Sequence, residues 1–125
     1  PKNKLKECGL STNKLITIIE IASQVENKCI ENRKGFEKMN DIQIIQKLTK
    51  IKGIGEWTAQ MLLIFNLGKL DIFPVGDFAL LKNYSLFKNI SPQVSSKELT
   101  RISLEWQPFR SIAAWYLWQY KLQST

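Results

Sequence analysis

In Leu48-Thr49-Lys50-Ile51-Lys52-Gly53-Ile54-Gly55-Glu56-Trp57-Thr58-Ala59, two segments of helical periodicity meet at a turn of five residues, 51–55. On the near side, Asn40 or Asp41 can cap a helix over about 41–50, with Ile42, Ile45 and Leu48 as its apolar face. On the far side, a helix over about 56–67 carries Trp57, Met61, Leu62 and Phe65 as a packing stripe, and Gly68 suits its C-terminal end. Glycines accept positive φ, so the turn can be tight, and they leave room for another backbone to approach. The second helix begins at once, so its free N–H groups point toward the turn, an arrangement that suits a phosphate oxygen. Lys50 and Lys52 add positive charge, and Ile54 is expected to pack the turn onto the core. Lys50, Lys52, Gly53, Ile54, Gly55 and Thr58 are the candidate phosphate-binding residues.

Outward from this turn the periodicity stays helical. Upstream, Leu15, Ile18, Ile19, Ala22 and Val25 form one face of a helix within Ser11–Lys28, capped by Ser11 or Thr12. Residues 29–40 are polar and mixed, with a turn at Gly35. Downstream, 69–76 is a loop containing Pro74 and Gly76, and Asp77 occupies an N-cap position ahead of Phe78–Lys82. A second loop, 88–94, contains Pro92. Ser95-Ser96-Lys97-Glu98 has the pattern of a capping box that opens a helix to about Trp106. Pro108 fits the first position of a last helix, Pro108–Lys121, rich in aromatic residues. No solenoid-type repeat and no strand-like alternation is present. The expected fold is all-α, one domain over residues 1–125 with five or six helices.

Composition narrows the chemistry. The chain has 125 residues, 44% of them apolar, and a net charge of +7, which favours a polyanionic partner. Histidine is absent, so no Ser-His-Asp triad, Cys-His pair or histidine metal site can form. The two cysteines, Cys8 and Cys29, are too few for a four-cysteine zinc site and are read as idle or buried thiols of a reducing compartment. Catalysis would therefore run on carboxylate, hydroxyl, amine or backbone groups, with no metal held by side chains and no organic cofactor. No apolar run reaches 18 residues, and the lysines of Pro1–Leu10 have no hydrophobic segment behind them. The expectation is a cytoplasmic protein without membrane contact. The chain does not begin with Met, so it is either processed or a piece of something longer.

The turn with its flanking helices resembles a helix-hairpin-helix motif, a sequence-independent binder of the DNA backbone; the competing interpretation is an ordinary αα-hairpin. Two further blocks sharpen the resemblance. Asp71-Ile72-Phe73-Pro74-Val75-Gly76-Asp77 follows the hairpin, and Trp106-Gln107-Pro108-Phe109-Arg110-Ser111 leads toward Ala113 and Trp118. With Gly9-Leu10-Ser11 and Lys14 ahead of them, these blocks are similar to the alkylpurine DNA glycosylases of the helix-hairpin-helix superfamily, 3-methyladenine DNA glycosylase II type. The resemblance covers roughly residues 8–121.

That resemblance implies roles residue by residue. Asp77 matches the catalytic carboxylate, which stabilises an oxocarbenium-like sugar and helps orient water. Its N-cap position alone would also account for it. Asp71 looks structural, and Arg110 looks like an ion-pair partner or loop clamp for Asp71 or Asp77, with a phosphate contact as the alternative. Trp57 stands where relatives with lyase activity carry a Schiff-base lysine, which implies a monofunctional enzyme that uses water. Trp57, Met61 and Trp118 match base-pocket positions, where indole faces favour a flipped cationic purine. Trp118 fits the core equally well, and Trp115 is expected in the core. The family's hairpin can hold a monovalent cation, here at the backbone of Ile51 and Ile54.

Two departures stand out. Lys52 replaces the family's usual proline before the first hairpin glycine, and the helices that supply a wedge residue ahead of Gly9 have no counterpart. The chain thus looks like the C-terminal part of a glycosylase, and apolar surface left uncovered could drive self-association. The implied function is removal of alkylated purines from double-stranded DNA in base excision repair. The alternatives are a non-catalytic helix-hairpin-helix DNA-binding module and a plain basic helical interaction domain.

Overall fold

The computed structural model describes residues 2–30 and 32–124. Its helices are α1 (Lys2–Glu7), α2 (Thr12–Glu26), α3 (Arg33–Glu37), α4 (Asp41–Thr49), α5 (Glu56–Met61), α6 (Phe78–Lys88), α7 (Ser96–Ser103) and α8 (Arg110–Ser124). A π-helical turn, Leu62–Asn66, prolongs α5, and a 3₁₀ turn, Leu104–Trp106, prolongs α7. Among the described residues there is no strand, so the fold is all-α. The six expected helices are present, and the short α1 and α3 add to them. The chain divides into two compact units, one ending at Ala59 and one beginning at Gln60.

Capping explains most helix starts in the first unit. Ser11 caps α2 by accepting from the Lys14 N–H, and Asn40 caps α4 in a full capping box with Gln43. Asn32 accepts from the Gly35 N–H and starts α3, a short helix where a polar loop was expected. The buried face of α4 is Ile44 and Leu48, continued by Ile51, rather than Ile42, Ile45 and Leu48. Ile42 is 67% exposed, because it lies off the Ile44–Leu48–Ile51 stripe. The apolar face of α2 is only half covered: Leu15 and Ile19 are half-buried, while Ile18 and Val25 are exposed. Cys8 and Cys29 are free thiols, both exposed rather than buried.

The second unit has a continuous core. Phe73, Leu80, Tyr84, Val94, Leu99, Ala114 and Leu117 are buried together, with Trp106 packed against Phe73 and Tyr84. Helices α6 and α8 form its main pair, and buried Asn83 donates from Nδ2 to the Leu117 carbonyl across them (2.9 Å). Burial and the negative charges of Glu105 and Glu98 push the Tyr84 hydroxyl above its ordinary pKa. Asp77 caps α6, which runs to Lys88 and ends on left-handed Asn89. Ser95 caps α7 by accepting from the Glu98 N–H.

Two expectations fail in this unit. The last helix begins at Arg110, not at Pro108. The Phe109 N–H closes a turn onto the Trp106 carbonyl (2.7 Å), and the Arg110 N–H is taken by the Asp71 carboxylate (3.2 Å). The stripe after the hairpin also does not pack as expected. The π-turn, closed by the Leu67 N–H on the Leu62 carbonyl (3.1 Å), leaves Leu63 buried and Phe65 58% exposed.

Candidate functional site

The hairpin lies in the first unit. Ile51 is its buried anchor, and Ile54, expected to hold the turn, is half-buried. The Ile51 N–H donates to Leu48 and the Ile54 N–H to the Ile51 carbonyl (3.1 and 3.0 Å). A carbonyl has two lone pairs, so Ile51 keeps acceptor capacity beside Ile54 for a monovalent cation. The two glycines differ. Gly53 has φ +94°, and a Cβ there would overlap Thr17 Oγ1. Gly55 opens onto empty space, with nothing within 4 Å of a built Cβ, and its carbonyl accepts the Ala59 N–H that starts α5. Lys50, Lys52, Thr58 and Trp57 are exposed around it.

Asp77 is placed by the loop before it. Ile72, Phe73 and Pro74 are buried, so they anchor the loop, and the Asp77 N–H donates to the Pro74 carbonyl (2.9 Å). Asp77 Oδ2 then accepts twice, from the Leu80 N–H (3.1 Å) and from the Trp118 indole Nε1–H (2.9 Å). The first bond is the N-cap that the sequence implied. The second joins two candidate site residues that lie 41 positions apart. One face of the Trp118 ring is stacked by Phe65 at 5.9 Å. Trp118 is half-buried, and Met61 is half-buried too. Trp115, expected in the core, is 50% exposed and meets the edge of Phe65 instead. Among the described residues, no group of three or more His, Cys, Asp or Glu side chains could hold a metal.

A clamp secures the other end of the same loop. Arg110 grips Asp71 through Nε to Oδ1 (2.8 Å) and Nη2 to Oδ2 (3.0 Å). The Arg110 hydrogen bond is the main force that holds the Asp71 carboxyl below its ordinary pKa, and partial burial opposes it. The Arg110 guanidinium is raised in turn by Asp71. Ser111 Oγ donates to the Lys69 carbonyl and accepts from the Ile72 N–H, both at 2.8 Å. Asp71 is thus a structural carboxylate, committed to positioning the loop. Sequence reasoning assigned no site role to Phe65 or Ser111. Phe65 gave no signal beyond helical spacing, and Ser111 was visible only as the neighbour of Arg110.

No family model matches the chain. An alkylbase DNA glycosidase-like protein of Schizosaccharomyces pombe is 39% identical over 115 residues, 92% of this chain and 54% of that protein. The 3-methyladenine DNA glycosylase of the same yeast, solved in complex with abasic DNA, is 33% identical with a TM-score of 0.85, covering 91% of this chain and 55% of that one. A DNA-3-methyladenine glycosidase from Bacillus halodurans gives the same TM-score, 0.85, at 33% identity over 95% of this chain and 54% of its own. The chain therefore spans about half the length of the relatives it matches. The hairpin, the loop and its aspartate in this order, together with these likenesses, make the chain similar to 3-methyladenine DNA glycosylases over about half of their length.

Proposed function

We propose that this chain carries the activity of a monofunctional DNA glycosylase that hydrolyses the N-glycosidic bond of alkylated purines in double-stranded DNA. The carrying observation is the Asp77 carboxylate, held on one oxygen by the Leu80 N–H and the Trp118 indole N–H. A carboxylate so oriented suits a sugar that gains positive charge as its base leaves. The C1′–N bond breaks with its electron pair going to the purine, which loses the positive charge that alkylation gave it. Water adds to C1′ and releases a proton to solvent, leaving an abasic site. Because the base is already cationic, no histidine is needed to protonate it. With Trp57 where a lyase would need lysine, no Schiff base forms.

The remaining residues bind. Met61 and Trp118 would line the base pocket, and exposed indole surface, that of Trp57 included, attracts a cationic purine. Phe65 already covers one face of Trp118, so the base would use the other. The hairpin N–H groups of Gly53 and Gly55, with Thr58, Lys50 and Lys52, would hold a phosphate, while the Ile54 N–H is given to the Ile51 carbonyl and shapes the turn. A monovalent cation on the Ile51 and Ile54 carbonyls would add positive charge beside that phosphate.

A second reading is favoured by one observation, the chain's span of about half its relatives. On that reading it binds DNA through the hairpin without releasing a base. Methylated duplex DNA separates the two. Release of 3-methyladenine or 7-methylguanine, reduced about 10²-fold or more in Asp77→Asn with DNA affinity unchanged, supports the glycosylase. Salt-sensitive DNA binding without base release by the wild-type chain supports the binding module.

A further inference from the structure

We propose that Phe65 is a positioning residue for Asp77, acting through Trp118; its bearing on base release rests on the glycosylase reading above. Three observations meet here. The Trp118 indole N–H donates to Asp77 Oδ2 at 2.9 Å. The Phe65 ring stacks on the Trp118 ring, with centroids 5.9 Å apart and planes 25° from parallel. Trp115, one turn earlier on α8, meets Phe65 edge-on at 6.3 Å. Phe65 is thus gripped by two tryptophans of the same helix.

The geometry gives the contact a purpose. An indole N–H lies in the plane of its ring, so any rotation of the ring swings the donor away from its acceptor. A ring stacked on one face resists that rotation. Phe65 reaches this place from the π-helical turn, closed by the Leu67 N–H on the Leu62 carbonyl rather than on Leu63. Such widened turns recur at functional sites. Burial does not explain Phe65, since it stays 58% exposed. An exposed aromatic ring that spends its contacts on the indole holding the carboxylate acts on the carboxylate's orientation.

The test reads the Trp118 indole N–H directly, in the ¹H–¹⁵N spectrum of the chain. Its signal is assigned by its absence in Trp118→Phe, and Asp77→Ala gives its position without the carboxylate. In Phe65→Ala the signal is expected to move toward the Asp77→Ala position and to exchange faster with water. Phe65→Tyr, which keeps the ring, is expected to return it to the wild-type position. A signal in Phe65→Ala that coincides with wild type in position and exchange overturns the proposal. Base release supplies the second arm. Phe65→Ala should slow the single-turnover rate about tenfold at unchanged DNA affinity, with recovery in Phe65→Tyr. An unchanged rate in the face of a displaced signal overturns the part that concerns the reaction. A wild-type chain that releases no base, while its indole signal depends on Phe65, sinks the glycosylase reading and leaves the positioning of Asp77 standing.

Discussion

The hairpin around Gly53 and the corner around Asp77 are held by different means. The hairpin takes its shape from its own backbone: short-range N–H to carbonyl bonds, a glycine in the left-handed region and one buried isoleucine. The corner is built from side chains that come together from far along the chain. Asp71 meets Arg110, Lys69 meets Ser111 and Asp77 meets Trp118 across 39 to 42 positions. A local device suits a task that needs only N–H groups and charge, such as holding a phosphate. A carboxylate that must face one atom needs long-range support, because orientation errors weaken electrostatic stabilisation.

The largest expected effect separates the two regions by what fails. Asp77→Asn should remove base release by about 10²-fold or more and leave DNA affinity intact. Gly55→Ser should do the reverse. Serine is an adequate N-cap for α5, and its Cβ meets nothing in the chain, so stability should stay within about 0.5 kcal/mol. The side chain would instead occupy the space open to an approaching phosphate backbone. Equal loss of affinity in both variants would erase the distinction. It is read by fluorescence anisotropy on duplex DNA beside the base-release assay.

Next comes a contrast inside the hairpin. Gly53→Val imposes an unfavourable φ and drives a Cβ into Thr17, so it should cost roughly 2 kcal/mol or more. Thr17→Ala should relieve the worst of the overlap, the Oγ1 contact, but neither the remaining Cβ contact nor the φ, recovering only part of the loss. Denaturant midpoints of the two single variants and the double variant read this out. Full recovery would mean that crowding against Thr17, rather than backbone strain, makes the glycine necessary.

These differences also govern what a sequence can reveal. The hairpin was legible because spacing, glycines and caps act over a few residues, and Ser11, Asn40, Asp77 and Ser95 all cap as expected. The short helix α3 escaped notice because Gly35 reads as a breaker, while Asn32 quietly supplies its cap. The face of α4 was misjudged because Ile42, Ile44 and Ile45 are equally apolar, and only tertiary packing chooses Ile44. The position of Asp77 came from its loop and the family pattern, but its tie to Trp118 did not. A hydrogen bond across 41 residues leaves no local trace, and neither does the π-turn that delivers Phe65.

The clamp at the loop's other end gives a smaller, pH-dependent effect. Arg110 holds the Asp71 carboxyl below its ordinary value, so the folded protein binds that proton less readily than the unfolded chain. The stabilisation is therefore full above the ordinary carboxylate range and is lost as pH falls through the depressed folded value. Asp71→Asn should cost about 2 kcal/mol at neutral pH and nothing once wild-type Asp71 is itself protonated. Arg110→Lys should recover little, because an ammonium lacks the two-pronged grip. A stability difference that stays constant down the acid limb would show that the loop does not depend on this pair. The hairpin, shaped by backbone hydrogen bonds, should show no matching acid sensitivity in hydrogen exchange at Ile54.

The smallest effect belongs to the lysines. Lys50 and Lys52 are exposed and flank the turn, so their contribution to a phosphate contact is one of charge rather than shape. Each contact of this kind releases about one counterion from DNA, so Lys52→Ala should lower the slope of log affinity against log salt by about 1. Lys50→Ala should do the same, and the double variant should add the two. Neither should alter stability by more than about 0.5 kcal/mol, since both side chains are solvated. Base release at saturating DNA should also be unchanged, because on the proposed reading charge at the hairpin would draw the duplex in without orienting Asp77. An unchanged salt slope in the double variant would move the phosphate site away from this turn, and with it the division of labour between hairpin and corner.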